Sequence, residues 1–202
     1  MEINHQKTKS VLTLKEVNID LLLQKINALT DEDWDTEEDF KANYNKNPRS
    51  ALNNTKHIIF RFSNKQANPF TYKNYSRWVN WKSILLPVLD SATKNYNYKK
   101  GVYTRVMLAL LPAKSFISPH TDGNETGSIP HKIHIPLQTN ENAFFYVDGE
   151  KFQLKQGFAY EVNNSVKHAV ANSGNTDRVH LIFEYLDYDA QSEAIQKEID
   201  QQ

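Results

Sequence analysis

The chain has 202 residues, with 24 basic and 24 acidic side chains and therefore a formal net charge of zero. This length can bury one full hydrophobic core, and the balanced charge argues against a general binder of nucleic acid or anionic membranes. The sequence contains no cysteine, which excludes disulfides, thiolate metal sites and cysteine nucleophiles. Any bound metal must therefore be held by His, Asp or Glu.

No targeting or membrane signal is visible in the sequence. The first ten residues are polar and lack the apolar core of a signal peptide, and no apolar run approaches the length that spans a bilayer. We therefore expect a cytoplasmic protein with a single domain over residues 1–202. Its predicted parts are a flanking segment of helices and strands over 1–100, a β-rich core over 101–187 and a helical tail over 188–202.

The flanking segment begins with a predicted strand followed by helices. Val11 to Val17 roughly alternates apolar and polar residues, which is typical of a strand. Leu21 to Leu29 has apolar residues at helical spacing, with Asn18 or Asp20 as a candidate cap. The acidic residues 31–33 predict the start of a second short helix.

The rest of this segment combines a loop, a strand and a longer helix. Residues 43–54 are rich in Asn and predict a loop, either solvated or able to approach a ligand. The β-branched and aromatic residues 57–62 indicate a strand. Residues 75–96 have apolar side chains at helical spacing, and Pro87 within them predicts a kink or a restart of the helix.

From Gly101 onward the sequence changes to short runs of period two, separated by turn residues. Asp148-Gly149 is a signal for a hairpin turn. The predicted strands are 104–110, 115–119, 132–138, 143–147, 150–154, 158–162, 167–172 and 178–186. A set of short strands like this predicts a mainly β fold, a cupin-like jelly roll or double-stranded β-helix, with flanking N-terminal helices.

A candidate metal site lies among these strands. Iron(II) sites that activate oxygen use two His and one carboxylate on one face and leave the other coordination positions open. His120 and Asp122 are two residues apart, so both side chains lie on the same face of a regular strand. His168 follows about four strands later, and a jelly roll can fold that strand back beside the first. The spacing alone is a weak signal, because seven His occur in the chain.

Candidate anion-binding residues accompany these ligands. Arg178 lies on the next predicted strand after His168, and an Arg inside a barrel generally meets an anion. Lys132 and His134 are two residues apart and can share a face. A dicarboxylate that binds the metal at one end would need such cations at its other end. The alternative makes Arg178 and Lys132 surface charges and His134 a core residue.

At these positions the chain resembles the aspartyl/asparaginyl β-hydroxylase family of 2-oxoglutarate- and iron(II)-dependent dioxygenases. The resemblance extends from Thr104 to Tyr185. The matching pieces are Leu-Leu-Pro112, Pro-His120-Thr-Asp122, His134-Ile-Pro-Leu137, Gly157, Asn163, His168-Ala-Val-Ala-Asn172 and Arg178-Val-His-Leu181.

The resemblance implies a double-stranded β-helix with iron bound by His120, Asp122 and His168. It also implies that Arg178 and His134 hold 2-oxoglutarate, which reacts with O₂ to give succinate and CO₂. Lys132 stands where family members often have Arg, and a Lys lacks the planar fork of a guanidinium. Because the metal carries the difficult chemistry in this class, we expect a hydroxylase without a catalytic acid–base pair. Proline hydroxylases share this arrangement, so the family leaves the substrate open.

The substrate residues are less well defined by the sequence. Arg105 is a candidate contact for a substrate carboxylate or an ordinary surface charge, and Glu125 is a candidate partner for an amine. His180 shares the face of Arg178 and could hydrogen-bond it, although a core or solvated role is the simpler interpretation. We expect a small amino-acid-like substrate, with a peptide or protein side chain as the alternative.

Two other functional classes use similar residues. A non-catalytic jelly-roll module could bind a metal or small acid as a sensor, and a zinc hydrolase could use the same ligands without O₂. The combination of His120, Asp122, His168 and Arg178 favours the oxygenase, since a sensor needs no open iron site. Formation of succinate from 2-oxoglutarate distinguishes the oxygenase from the non-catalytic module, and turnover without O₂ would indicate the zinc hydrolase.

Overall fold

The computed structural model describes residues 7–36, 38–39, 54–63, 71–122 and 130–189. Strands dominate this part of the chain, and helices α1 (Asp20–Asn27) and α2 (Trp78–Thr93) accompany them. Short 3₁₀ turns lie at Asp31–Asp33 and Lys94–Tyr96. The strands are β1 Val11–Glu16, β2 Lys56–Ser63, β3 Tyr72–Asn74, β4 Gly101–Leu111, β5 Ser115–His120, β6 His131–Gln138, β7 Ala143–Val147, β8 Glu150–Phe152, β9 Phe158–Val162, β10 His168–Asn172 and β11 Arg178–Asp187.

The strands form two antiparallel sheets. The larger sheet has the order β1-β9-β6-β11-β4-β2-β3, and the smaller sheet has the order β5-β10-β7-β8. Apart from β2-β3 and β7-β8, neighbours in these orders are not consecutive in sequence, so crossovers connect the strands, as in a double-stranded β-helix. The predicted jelly roll is therefore confirmed. Three strands from the N-terminal segment also extend the larger sheet.

Side chains alternate along the strands between two hydrophobic clusters, one on each face of the larger sheet. Leu181 and Phe183 of β11 and Ile133 of β6 point to one face of the larger sheet, where they pack with helices α1 and α2. The opposite face meets the smaller sheet. There Tyr160 of β9 packs with Phe145 and other apolar residues in a second cluster. Two sheets that bury one face against each other leave the inner polar residues in a dry, ordered interior.

The eight strands predicted from residue 104 onward are all present, with small shifts of their ends. Asp148 and Gly149 have φ values of 49° and 83°, as a tight hairpin turn requires. Helix α2 continues through Pro87 without a restart. Proline has no N–H to donate to the carbonyl four residues earlier, and because Pro87 lies on the exposed side of the helix, that carbonyl can face water. Strand β3 was not predicted, because its three residues are all exposed.

Some expectations fall outside the described residues. These are most of the loop predicted over 43–54 and the tail after residue 189, whereas residues 188–189 are helical. The division into one domain with three parts stays a prediction. Within the described part of the chain, no helix is long and apolar enough to cross a membrane.

A buried polar cluster joins the larger sheet to the segments that cover it. Glu161 of β9 accepts hydrogen bonds from the Tyr96 hydroxyl and from the backbone N–H of Thr8, and its Oε1 lies 3.1 Å from Nδ1 of His131. Burial alone would raise the pKa of Glu161, but the contacts with His131 and Tyr96 lower it below its usual value. A carboxylate with a lowered pKa stabilises the fold above its unfolded pKa, and this contribution is lost as the pH falls.

We predict that Glu161→Gln lowers the free energy of unfolding at pH 7 by about 1–3 kcal/mol, because buried donors lose their charged acceptor. The difference between wild type and variant should shrink as the pH falls below the ordinary glutamate value of 4.5. Urea denaturation at several pH values measures both effects. Glu150→Gln on exposed strand β8 is the control, and an equal loss in both variants would contradict the prediction.

Candidate metal centre and anion site

Strand pairing places the two candidate histidine ligands side by side. His120 is the last residue of β5 and His168 is the first residue of β10. The two strands pair antiparallel with these residues as direct partners, and the ring centroids lie 4.2 Å apart. The predicted return of the later strand to the first therefore occurs.

Both imidazoles have their Nδ1 atom occupied by the backbone. Nδ1 of His120 lies 2.8 Å from the Ser118 carbonyl oxygen, and Nδ1 of His168 lies 3.0 Å from that of Val166. Since a carbonyl accepts only, each Nδ1 carries the hydrogen and each Nε2 keeps a free lone pair. A backbone carbonyl that fixes the tautomer in this way is typical of metal-binding histidines.

Asp122 completes the candidate ligand set. Its Oδ1 lies 3.6 Å from Nε2 of His120 and 3.8 Å from Nε2 of His168, and one ligand atom from each residue falls within 4.8 Å of the others. The other oxygen, Oδ2, accepts hydrogen bonds from the Lys132 ammonium and, at 3.2 Å, from the Asn164 amide. The carboxylate therefore offers one free oxygen to the space between the histidines.

The electrostatics keep Asp122 and His168 in their metal-binding forms. Burial would raise the pKa of Asp122, but the adjacent Lys132 ammonium lowers it strongly, so the carboxylate is ionised. Burial lowers the pKa of His168 and favours the neutral ring. Two imidazoles and one carboxylate suit a divalent metal such as iron(II), and the cluster could hold one.

A second buried feature lies at the start of β11. Arg178 is 3% exposed, and its guanidinium donates to Nδ1 of His180 at 2.8 Å and lies 5.0 Å from the Phe145 ring. Among the described residues no carboxylate forms an ion pair with Arg178. Burial lowers the pKa of its guanidinium to about 9, which leaves it charged at neutral pH. A buried cation without a counter-ion is expensive unless an anion binds there.

His134 lies between this cation and the metal centre. On β6, Lys132 pairs with Glu184 and His134 pairs with Ile182 of β11, so the two predicted residues share the inner face. Burial lowers the pKa of His134 well below its usual value, and the nearby charges of Lys132 and Arg178 lower it further. No hydrogen-bond partner for its Nδ1 occurs among the described residues.

The remaining predicted residues have other contacts or are not described. Lys132 contacts the Asp122 carboxylate, and its role toward a cosubstrate stays a prediction. The Arg105 guanidinium lies 2.9 Å from the Glu184 carboxylate and stacks over Phe62 at 4.3 Å. Glu125 lies outside the described residues. Residue spacing in the sequence does not single out Asn164 and Glu184. Their contacts with Asp122 and Arg105 form only when segments distant in sequence pack together.

Comparison with known families matches the model described as Aspartyl/Asparaginyl beta-hydroxylase to residues 31–187. The chain belongs to this family. The match covers most of the chain and includes every candidate ligand, so the resemblance noted in the sequence is confirmed. A comparison with curated proteins finds no match.

Solved structures share the fold at low identity. An oxidoreductase of the 2OG-Fe(II) oxygenase family from Burkholderia pseudomallei is 14% identical, with a TM-score of 0.55 over 68% of this chain and 70% of that one. EvdMO1 is 14% identical, with a TM-score of 0.52 over 89% and 47%. The viral collagen prolyl hydroxylase vCPH from Paramecium Bursaria Chlorella virus-1 is 11% identical, with a TM-score of 0.48 over 88% and 96%.

Membership of this family identifies the protein as an oxygenase-type hydroxylase, and the solved structures share its fold. The non-catalytic module considered above is therefore disfavoured. The described structure also brings the predicted residues His120, Asp122 and His168 into one cluster.

We predict that Asp122→Ala removes tight binding of one divalent cation, because the cluster loses its only carboxylate and its charge. Calorimetric titration with Mn²⁺ measures the binding, and thermal melting checks that the fold is intact. Asp20→Ala, which removes one exposed acidic group on helix α1, is the control. A variant Asp122→Ala that binds Mn²⁺ like the wild type would show that the metal lies elsewhere.

Proposed function

We propose that the protein hydroxylates a small amino-acid-like substrate, with iron(II) held by His120, Asp122 and His168 and 2-oxoglutarate anchored on Arg178. Succinate and CO₂ are the proposed co-products. The observation that carries this proposal is the buried Arg178 guanidinium, which has no carboxylate partner among the described residues and lies on the inner face that also leads to the His-Asp-His cluster.

The inner face of the larger sheet connects the two features in a defined order. Arg178, His180 and Glu184 point inward from β11, and Lys132 lies opposite Glu184 and reaches the Asp122 carboxylate. His134 stands beside this row, close enough to both cations for each to lower its pKa. A dicarboxylate extended along this row would place one carboxylate on Arg178 and the other end at the metal.

The residues have separate roles in this proposal. When bound, iron(II) supplies the activation of O₂ that couples decarboxylation of 2-oxoglutarate to hydroxylation of an unactivated carbon. Arg178 pairs with the distal carboxylate through two parallel hydrogen bonds, and His180 orients its guanidinium. His134 offers a neutral ring whose Nδ1 has no hydrogen-bond partner in the part of the chain that the structure describes. The apolar packing between the sheets excludes water from this region.

The substrate proposal depends on the face beside the metal centre. Arg105 lies on β4 opposite Glu184, and its side chain is 18% exposed, so it is both held in place and reachable. Phe62 and Met107 form an apolar cluster on the same side of the sheet. A carboxylate on Arg105 with an aliphatic body over this cluster fits an amino acid. A peptide or protein side chain is the alternative.

We predict that Arg178→Ala weakens 2-oxoglutarate binding by about 2–5 kcal/mol, because a buried carboxylate loses its charged partner. Arg178→Lys should restore only part of this, since an ammonium lacks the bidentate fork. The apparent affinity for 2-oxoglutarate is measured by calorimetry with Mn²⁺ in place of iron. Arg77→Ala at the start of α2 is the control, and unchanged affinity in Arg178→Ala would place the anchor elsewhere.

We predict that amino acids or short carrier-bound derivatives gain one oxygen in the presence of iron(II), 2-oxoglutarate and O₂, as measured by product mass. Arg105→Met should raise the apparent KM for that substrate at least tenfold, an order-of-magnitude estimate for loss of a charged contact. The double variant Arg105→Met/Glu184→Gln controls for the stranded Glu184 carboxylate. Oxygen addition to proteins or long peptides alone would contradict the small-substrate proposal.

A further inference from the structure

The N-terminal arm, residues 7–10, lies against the turn that precedes β10. The backbone N–H of Thr8 donates to Glu161 at 3.1 Å. The Asn163 backbone N–H donates to the Ser10 carbonyl at 2.8 Å, and the Asn163 side-chain amide donates to the Lys9 carbonyl at 3.1 Å. The arm is thus fixed beside the turn by contacts at several points.

Lys7 extends from this arm toward the metal centre. Its ammonium donates to Oδ1 of Asn164 at 2.7 Å and approaches the Ser165 hydroxyl at 3.4 Å. Burial lowers the pKa of Lys7 to about 8, and the charges that act on it include Asp122 and Lys132. Lys7 therefore belongs to the surroundings of the candidate ligands, although it is 113 or more positions away in sequence order.

Asn164 occupies a position between Lys7 and the ligand carboxylate. The residue is fully buried, its backbone carbonyl accepts from the N–H of Asp122 at 3.0 Å, and its amide nitrogen donates to Oδ2 of Asp122 at 3.2 Å. A flipped amide would point oxygen at the carboxylate and nitrogen at the Lys7 ammonium. Lys7 therefore selects the one amide orientation that donates to Asp122.

We infer that Lys7 and Asn164 are positioning residues of the metal centre, through which the N-terminal arm fixes Asp122 for binding by its Oδ1 alone. This inference rests on the proposed function, since it takes His120, Asp122 and His168 as the metal ligands. Asn164 and Lys132 together hold Oδ2, which leaves Oδ1 directed at the two histidine Nε2 atoms.

The test is anaerobic titration with Co²⁺, whose visible absorption reports both affinity and coordination geometry. Asn164→Ala should weaken Co²⁺ binding about tenfold or more, as is typical when a partner of a ligand is removed. Lys7→Met should weaken it in the same direction but less, with a changed spectrum. Lys7→Arg keeps a cationic donor and should restore most of the affinity. Lys9→Met, which removes an exposed charge from the same arm, should bind like wild type.

The sign of the Lys7 effect separates positioning from plain electrostatics. Removing a cation near a metal site strengthens binding of a divalent cation if only charge matters. In the Asn164→Ala background, Lys7→Met should therefore no longer weaken Co²⁺ binding, because the amide through which it acts is absent. Thermal melting of each variant shows whether a loss of affinity comes from unfolding.

Each outcome decides between defined alternatives. If wild type binds Co²⁺ and Asp122→Ala does not, the metal site stands. If Asn164→Ala then binds as tightly as wild type, or if Lys7→Met strengthens binding in both backgrounds, the positioning role is wrong. If wild type itself fails to bind Co²⁺, the proposed metal site and this inference both fall.

Discussion

Antiparallel pairing of β5 with β10 is the interaction on which the rest of the site depends. It sets His120 directly opposite His168, and the backbone carbonyls nearby hold each Nδ1 so that both Nε2 atoms face the same space. Asp122 follows β5 by two residues and is fastened to the turn before β10 through its own N–H. The three candidate ligands thus converge because two strand ends and one turn converge.

The buried charges of the site differ in whether an opposite charge compensates them. Asp122 is compensated by Lys132, and Arg105 by Glu184, whereas Arg178 has no carboxylate partner among the described residues. An uncompensated buried cation costs stability, which the apolar cores of the two sheets must offset. Such local cost is expected at sites that bind a ligand of opposite charge.

The strands of the core can be predicted from the sequence because period-two alternation marks them locally. The grouping of His120, Asp122 and His168 is implied by the family resemblance and not by spacing alone, since β5 ends at His120 and Asp122 lies beyond it. The contacts of Arg105 with Glu184 and of Lys7 with Asn164 depend on pairing between distant segments, which no local pattern encodes. Strand β3 is not predicted for a different reason. Its three residues are all exposed, so they show no alternation of buried and exposed side chains.

The distance between the metal centre and the anion site follows from the packing of the two sheets. The histidine ligands belong to the smaller sheet, while Arg178 belongs to the larger sheet. Packed sheets lie about 10 Å apart, and the residues that separate them here include Phe145, Tyr160 and Val170. The side chains of this interior therefore set how long a dicarboxylate must be to reach both ends. In the proposed function, selectivity for the cosubstrate would therefore depend on the hydrophobic core as well as on the charged residues.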